Sequence, residues 1–165
     1  MNMSVERSSV QVSAFRDSVL QILDAAIELD GASKGTVQLF DPEIDALHIV
    51  GQRGFDPAFL ELFEIVRPDD LCICGRSLRH KRRVMCHDIM ADRLFSPYFS
   101  TVSANGIRAV QSTPVIGADG RARGVISTHF SKVHILTQSA GKVLDGFASE
   151  MAALFAEYYP EQFRS

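Results

Sequence analysis

Three side chains capable of hydrogen bonding lie on two neighbouring stretches that are rich in β-forming residues. The stretches are residues 106–115 and 124–130, and the turn between them ends in an Asp-Gly pair, which predicts an antiparallel hairpin. Ser127 and His129 are two residues apart, so they lie on the same face of the sheet. If Ser112 on the other strand shares that face, polar groups meet where a structural core would hold methyl groups. We therefore predict that this face forms one wall of a small-molecule pocket.

The three cysteines could support a second kind of chemistry, because Cys72 and Cys74 are separated by one residue and the pair Cys86-His87 follows. Structural zinc sites usually contain cysteine pairs with two to four intervening residues, and neighbouring residues on a strand point to opposite faces. The sequence therefore predicts no metal site. An odd number of cysteines, two of them too close to pair comfortably, also disfavours a disulfide framework and indicates a reducing compartment.

A basic run could attract an anionic ligand. Its members are Arg76, Arg79, His80, Lys81, Arg82 and Arg83. Most of them come at the C-terminal end of a short predicted helix, where positive charge is favourable to the helix dipole. We interpret the run as a solvated face.

Length and composition indicate one globular domain. The chain has 165 residues, of which 46% are hydrophobic and 22% are charged, and this length is sufficient to bury a core. A net charge of −3 gives no reason to expect nucleic acid or a membrane as a partner. The N-terminal residues lack the apolar stretch of a signal peptide, and no apolar run approaches the roughly 20 residues of a membrane span. We expect a cytoplasmic protein.

Helices and further strands must position the hairpin. Apolar residues three and four apart predict amphipathic helices over residues 11–30 and from Thr137 to Tyr159, with Thr137 or Ser139 as the N-cap of the second. Pro160 ends that helix. Between the two helices the sequence predicts strands at 36–40, 46–52 and 84–87, and short helices at 57–63, 75–80 and 98–104.

This order of elements, with a series of short motifs, resembles the GAF domain family, a relative of the PAS domains that serves as a sensory module. The motifs are Cys74-Gly75-Arg76-Ser77-Leu78, Val84 with Asp88-Ile89, Asp92-Arg93-Leu94-Phe95, Gly106-Ile107-Arg108-Ala109, Ser112-Thr113-Pro114-Val115 and Gly124-Val125-Ile126. The similarity is closest to the GAF sensory domains of bacterial sensor histidine kinases. We expect a flexible N-terminus at 1–11, a single GAF domain at 12–159 and a C-terminal tail at 160–165.

The resemblance implies an α+β fold with a central antiparallel sheet of five to six strands. The terminal helices would cover one face, and short helices and loops would cover a ligand pocket on the other. The hairpin is also similar to that of phytochrome chromophore domains, in which the matching histidine and serine face the bilin. This similarity places Ser112 and His129 on the pocket wall beside Ser127. Cys74 and Ser77, at the start of the covering helix, and Phe99 are further candidates for ligand contacts.

A bilin is nevertheless not expected. The attachment cysteine of the family would fall within residues 96–101, which contain none, and in the related Asp-x-Cys-Phe motif Leu94 replaces the cysteine. The Asn-Lys-x-Phe-Asp-Glu signature of cyclic-nucleotide GAF domains is also missing from the sequence. We therefore expect no cofactor, and a small-molecule ligand of unknown identity.

An enzymatic alternative comes from the GAF-type enzymes that reduce free methionine sulfoxide. Cys74-Gly75 matches one of their cysteines, and a thiol at a helix N-terminus has a lowered pKa. Those enzymes keep a further essential cysteine before the Gly-Ile-Arg-like strand, but residues 88–106 hold none, so Cys86 would have to replace it. We favour the interpretation that the cysteines are small apolar core residues and that the protein is not an enzyme.

The apolar stripes of the terminal helices predict a homodimer. In GAF proteins such helices commonly associate as a bundle across a two-fold axis. The residues suited to that interface are Phe147, Met151, Phe155 and Tyr158.

The expected function is therefore ligand sensing in bacterial signal transduction, such as a two-component system. Pocket occupancy would change the packing of the terminal helices, and a histidine kinase or another output protein would respond. The remaining alternative is a GAF domain without a ligand that only dimerises or docks. In that case Phe99, Phe95 and Met85 would fill the cavity.

Overall fold

An antiparallel sheet of six strands forms the centre of the molecule in the computed structural model, which describes residues 8–163. The strands are arranged in the order β3-β2-β1-β6-β5-β4, and each neighbouring pair is antiparallel. Their bounds are β1 (Lys34–Asp41), β2 (Ala46–Arg53), β3 (Ile65–Val66), β4 (Val84–Cys86), β5 (Ala109–Ile116) and β6 (Ala122–Phe130).

Helices cover both faces of this sheet. Within residues 8–163, no helix combines the length and the apolar character that crossing a membrane requires. Short 3₁₀ turns occupy residues 89–91, 93–98 and 160–163. The α-helices are α1 (Ser9–Asp30), α2 (Pro57–Leu62), α3 (Ile73–His80), α4 (Phe99–Ala104), α5 (Gln138–Gly141) and α6 (Val143–Tyr158).

Helix α1 begins two residues before the predicted boundary because a capping box closes its first turn. The Ser8 hydroxyl accepts from the backbone N–H of Gln11 at 3.2 Å, and the Gln11 side chain accepts from the Ser8 N–H at 3.2 Å. At the other end Gly31 adopts a left-handed φ of 69°, as a C-cap glycine does. Residues 1–7 of the predicted flexible N-terminus, and 164–165 of the predicted tail, lie outside the described residues.

The terminal helices α1 and α6 pack on one face of the sheet, as predicted. Their shared apolar layer contains Phe15, Val19, Leu23, Leu144, Met151 and Phe155. Met151 and Phe155 are completely buried within their own domain, so the prediction that they form a dimer interface is wrong. Phe147 and Tyr158 are half-buried. The wide apolar stripes of these two helices therefore cover the protein's own sheet.

The other face is covered by the short helices and loops, as predicted. The layer they form with the sheet includes Leu47, Phe59, Phe63, Ile73, Phe95 and Val110. The two-residue strand β3 was not predicted, and the helix predicted from Thr137 is divided at Lys142 into α5 and α6. Thr137 is the N-cap of α5, where its hydroxyl accepts from the N–H of Ala140 at 3.1 Å.

The close approach of α6 to the sheet depends on Gly124 in β6. A Cβ atom at this position would lie 2.2 Å from the carbonyl oxygen of Gln38 and 2.8 Å from the Phe155 ring. Gly146, in α6, has no such neighbour within 4 Å. Alanine substitution at the two glycines therefore compares a crowded position with an uncrowded one.

Gly124→Ala is expected to lower the free energy of unfolding by about 3 kcal/mol, because the neighbouring strand backbone must move. Gly146→Ala is expected to raise it by up to about 1 kcal/mol, since alanine has the higher helix propensity. Urea unfolding of both variants measures the difference. Equal effects of the two substitutions would contradict the close approach at Gly124.

Candidate functional site

A small cavity lies between the sheet and the short covering helices. Its volume is about 20 Å³, which is room for about one water molecule. Strands β1, β2, β5 and β6 form the floor, and α2, α3, α4 and the 3₁₀ turn at 93–98 form the cover. The floor residues are Thr36, Gln38, Ile49, Val110, Ser112, Ser127 and His129, and the cover residues are Phe59, Phe63, Cys72, Ile73, Cys74, Phe95 and Val102.

The strand register brings the polar floor residues together. Ser112 on β5 is paired with Ser127 on β6, and Ser127 is paired on its other side with Thr36 on β1. The hydroxyl oxygens of Ser112 and Ser127 are 2.7 Å apart, and both residues are buried. The structure thus places Ser112, Ser127 and His129 on one cavity wall, where the hairpin pattern located them. Their role as ligand contacts stays a prediction.

The His129 imidazole is a neutral, buried group at one end of this wall. The residue is 6% exposed, and the rings of Phe55 and Phe59 stand edge-on to it, with centroids 4.9 and 6.0 Å away. Its Nδ1 atom has no hydrogen-bond partner among the described residues, although the ring also has a backbone hydrogen bond with Lys34. Burial lowers the pKa of His129 to about 3, so the ring is uncharged at neutral pH.

Gln38 is a cavity residue that the sequence analysis missed. It lies on β1 and is 1% exposed. Its side chain has a hydrogen bond with the Cys74 thiol, whereas its Oε1 atom has no partner among the described residues. The signal was present in the predicted strand, since Thr36 and Gln38 alternate with Val37 and Leu39 at a period of two. Together with Nδ1 of His129, this oxygen gives the wall two buried polar atoms that lack partners.

Two of the three cysteines meet in the cover. The sulfur atoms of Cys72 and Cys74 are 3.4 Å apart, and both residues line the cavity. The hydrogen bond between the thiols lowers the pKa of Cys72 and raises that of Cys74. Cys86 does not line the cavity, and burial raises the pKa of its thiol to about 11. The structure therefore pairs Cys74 with Cys72, and not with Cys86 as the enzymatic alternative required.

Ser77 and Phe99 do not line the cavity, and their role as ligand contacts stays a prediction. The Ser77 hydroxyl lies 2.9 Å from the carbonyl oxygen of Arg82 and 3.2 Å from that of Ser112, and it ties α3 to β5. Phe99 packs against the outer part of the covering layer. Met85, like Phe99, is absent from the cavity wall, whereas Phe95 does contribute to it.

The basic run is only partly the solvated face that was predicted. Four of its members, at positions 79–82, are exposed. Arg76 instead pairs with Asp92 at 2.7 Å. Arg83 donates to the Thr113 hydroxyl at 3.1 Å and pairs with Asp145, so it joins the loop before β4 to the sheet and to α6.

Comparisons with known proteins agree with this architecture. A family model described as GAF domain matches residues 14–156. A search of curated proteins found no match. Three solved structures illustrate the likeness, and because their sequence identities are below 20% they show the fold alone.

The first of these is a domain of a protein described as a two-component sensor histidine kinase from Sinorhizobium meliloti 1021, with a TM-score of 0.68, 18% identity, and coverage of 87% of this chain and 92% of that chain. The second is a type II free methionine-R-sulfoxide reductase from Thermoplasma acidophilum, with a TM-score of 0.72 and 14% identity. The match covers 90% of this chain and 96% of that chain. The third is a GAF domain/HD domain protein from Geobacter sulfurreducens, with a TM-score of 0.69 and 16% identity. The match covers 93% of this chain and 98% of that chain.

Replacement of Gln38 by methionine is expected to raise the free energy of unfolding of the ligand-free protein by about 1 kcal/mol, because it removes an unpaired buried oxygen at similar volume. Gln111→Met is the control. Gln111 is equally buried, and its Oε1 likewise has no partner among the described residues, but its Nε2 donates to Oδ2 of Asp30 at 2.7 Å on the other face of the sheet. Loss of that bond is expected to cost about 1.5–3 kcal/mol. Equal destabilisation in urea by both variants would contradict the unpaired state of Gln38.

The buried imidazole predicts a pH-dependent stability. Between the unfolded-state pKa of 6.5 and the folded-state value of about 3, the unfolded chain binds a proton at His129 that the folded chain does not. Stability therefore falls as the pH is lowered, by up to about 1.4 kcal/mol per pH unit. Urea unfolding of the wild type and of His129→Gln from pH 7 to pH 4.5 measures this slope by difference. If the free energy of unfolding changed equally with pH in the two proteins, the pKa of His129 would not differ between the folded and unfolded chains, and the prediction would be wrong.

Proposed function

This chain belongs to the GAF domain family, and we propose that it binds a small neutral molecule in the cavity as the sensory domain of a bacterial signalling protein. The observation that carries the proposal is the pair of unpaired atoms on the cavity floor, Oε1 of Gln38 and Nδ1 of His129. A buried polar atom without a partner costs about 1–3 kcal/mol. Such atoms beside a cavity are suited to a ligand that supplies the missing hydrogen bonds.

The lining residues support a neutral ligand. Among the described residues that line the cavity, none carries a formal charge, because His129 is neutral. An ionic ligand would lose its hydration without gaining a counter-charge. Oε1 of Gln38 can only accept a hydrogen bond, so the ligand carries at least one N–H or O–H donor. Phe59, Phe63 and Phe95 in the cover favour a flat apolar or aromatic body.

The small volume of the cavity requires the cover to move when a ligand larger than water binds. The floor belongs to strands that are paired on both sides, whereas the cover consists of the six-residue helices α2 and α4, the start of α3 and a 3₁₀ turn. Displacement of the side chains of Phe59 on α2 and of Phe63, the C-cap of that helix, opens space without breaking the sheet. Binding in the proposed function is therefore coupled to a rearrangement of the cover.

A hydrogen-bonded link connects the cavity floor to the terminal helices. Gln111 and Thr128 are register partners on β5 and β6, and both donate to Oδ2 of Asp30, at 2.7 and 2.6 Å. Asp30 is the last residue of α1. Gln111 precedes Ser112, and Thr128 lies between Ser127 and His129, so the same strand segments face the cavity on one side and α1 on the other. In this proposal a shift of these strands on ligand binding changes the position of α1.

The response would pass to a partner through the terminal helices. Similar domains occur in a protein described as a sensor histidine kinase and in a GAF/HD domain protein, which supports an output domain or protein as the partner. We also propose a homodimer formed by the terminal helices. Because Met151 and Phe155 are buried, the exposed residues Val10, Val12 and Leu29 of α1 are the better candidates for its contacts.

A docking module without a ligand is the second candidate. It is supported by the small cavity volume and by the three aromatic side chains that already occupy much of the space under the cover. The reductase alternative rests on the structural likeness to methionine-R-sulfoxide reductases and on the neighbouring thiols of Cys72 and Cys74, which are not the predicted pair.

Native mass spectrometry of the protein purified from the organism that encodes it tests the proposal. The wild type is expected to carry an additional small mass and to occur as a dimer. Gln38→Met is expected to lose most of the bound mass, because the ligand donor loses its acceptor. His80→Ala, at an exposed position on α3, should retain it. Wild-type protein without any bound mass, combined with higher stability of Gln38→Met, would favour the docking module.

A further inference from the structure

The cavity cover contains a pair of thiols at near-bonding distance. The sulfur atoms of Cys72 and Cys74 are 3.4 Å apart. The Cα atoms of residues two apart are separated by at most about 7 Å, close to the upper limit of about 6.8 Å for a disulfide, and the turn into a helix brings them nearer. Closing the two sulfurs to a bond therefore needs side-chain rotation and little backbone movement.

We propose that Cys72 and Cys74 form a reversible disulfide when hydrogen peroxide enters the cavity, so that the cover of the pocket is sensitive to peroxide. This inference goes beyond the proposed function, because the bond forms whether or not a ligand binds. Both sulfurs belong to residues that line the cavity, which supplies the route to them.

Cys72 is the attacking thiol. It is the N-cap of α3, where the helix dipole favours a negative charge. Hydrogen bonding with the Cys74 thiol lowers its pKa further. The Cys72 thiolate attacks one oxygen of hydrogen peroxide, the O–O bond breaks, and a sulfenic acid forms at Cys72. The hydroxide that leaves takes up the proton released by Cys72 and becomes water.

Cys74 then resolves the intermediate. Its sulfur attacks the Cys72 sulfur, the S–S bond forms, the S–O bond breaks, and the departing hydroxyl group leaves as water with the Cys74 proton. In total the two thiols lose two electrons and two protons, and one hydrogen peroxide becomes two water molecules. A dithiol reductant reverses the change by thiol–disulfide exchange.

The size of the cavity limits which oxidants act. Hydrogen peroxide, with two oxygen atoms, enters this space with a small displacement of the cover, whereas a bulky disulfide such as oxidised glutathione is excluded. Cys86 is the internal control, since it is buried on β4 outside the cavity and burial raises its pKa to about 11. It should therefore remain a thiol during peroxide treatment.

The test treats the reduced full-length protein with a small excess of hydrogen peroxide, and in parallel with oxidised glutathione, without any added ligand. Each sample is then unfolded, alkylated and weighed by intact mass spectrometry. Peroxide is expected to remove two of the three free thiols and the mass of two hydrogen atoms. Dithiothreitol should restore all three, and oxidised glutathione should leave all three. Peptide mapping should locate the bond between Cys72 and Cys74.

Variants separate this inference from other thiol chemistry. Cys86→Ser should form the bond as the wild type does, whereas Cys72→Ser and Cys74→Ser should not form it. A bond that includes Cys86, an intermolecular bond, or stable sulfinic acid without a bond would overturn the proposal, as would equally fast oxidation by glutathione disulfide. Mapping of the wild type decides the question even if a variant fails to fold. Because no ligand enters the assay, its failure leaves the sensory function untouched.

Discussion

The sheet is covered on both faces, and this constraint determines where polar side chains of β5 and β6 find partners. Because side chains alternate along a strand, each polar residue of these strands enters a layer that excludes bulk water. Gln111 and Thr128 enter the layer beneath the terminal helices, where Asp30 accepts from both. Residues on the opposite face enter the layer beneath the short helices, where Ser112 and Ser127 pair only with each other and His129 keeps an unpaired nitrogen. Among the described residues each face keeps one glutamine oxygen without a partner, Oε1 of Gln111 on the helix side and Oε1 of Gln38 on the cavity side, and Gln38 is the one of the two that lines the cavity.

The two faces accordingly suit different tasks. On the helix side, the hydrogen bonds that Gln111 and Thr128 donate to Asp30 and the tight contact at Gly124 fix α1 and α6 against the sheet. On the cavity side, unpaired atoms at Gln38 and His129 cost stability that a purely apolar wall would keep, as the proposed binding site requires. The cover of this side consists of short segments that contact one another through side chains such as the stacked rings of Phe63 and Tyr98. It is the part of the molecule that can move at the lowest cost.

Regular periodicity explains which features the sequence could predict. The period of two located Ser112, Ser127 and His129 on one face, because β5 and β6 are long strands paired on both sides. The same rule applied to β1 would have found Gln38. It could not find β3, which is too short to show a period. A helical stripe cannot say whether it faces its own sheet or a partner, and for this reason Met151 and Phe155 were assigned to a dimer interface although both are buried.

The neighbouring thiols show why junctions between elements escape such rules. In a strand, residues two apart share a face but their side chains are roughly 7 Å apart, and in a helix they diverge. Cys72 has an extended backbone, with φ −65° and ψ 162°, while the next residue already begins α3. The chain therefore turns between the two cysteines and directs both sulfurs into one cavity. The disulfide proposed at this junction would alter the cover directly, whereas the register of the paired strands limits the floor to small shifts.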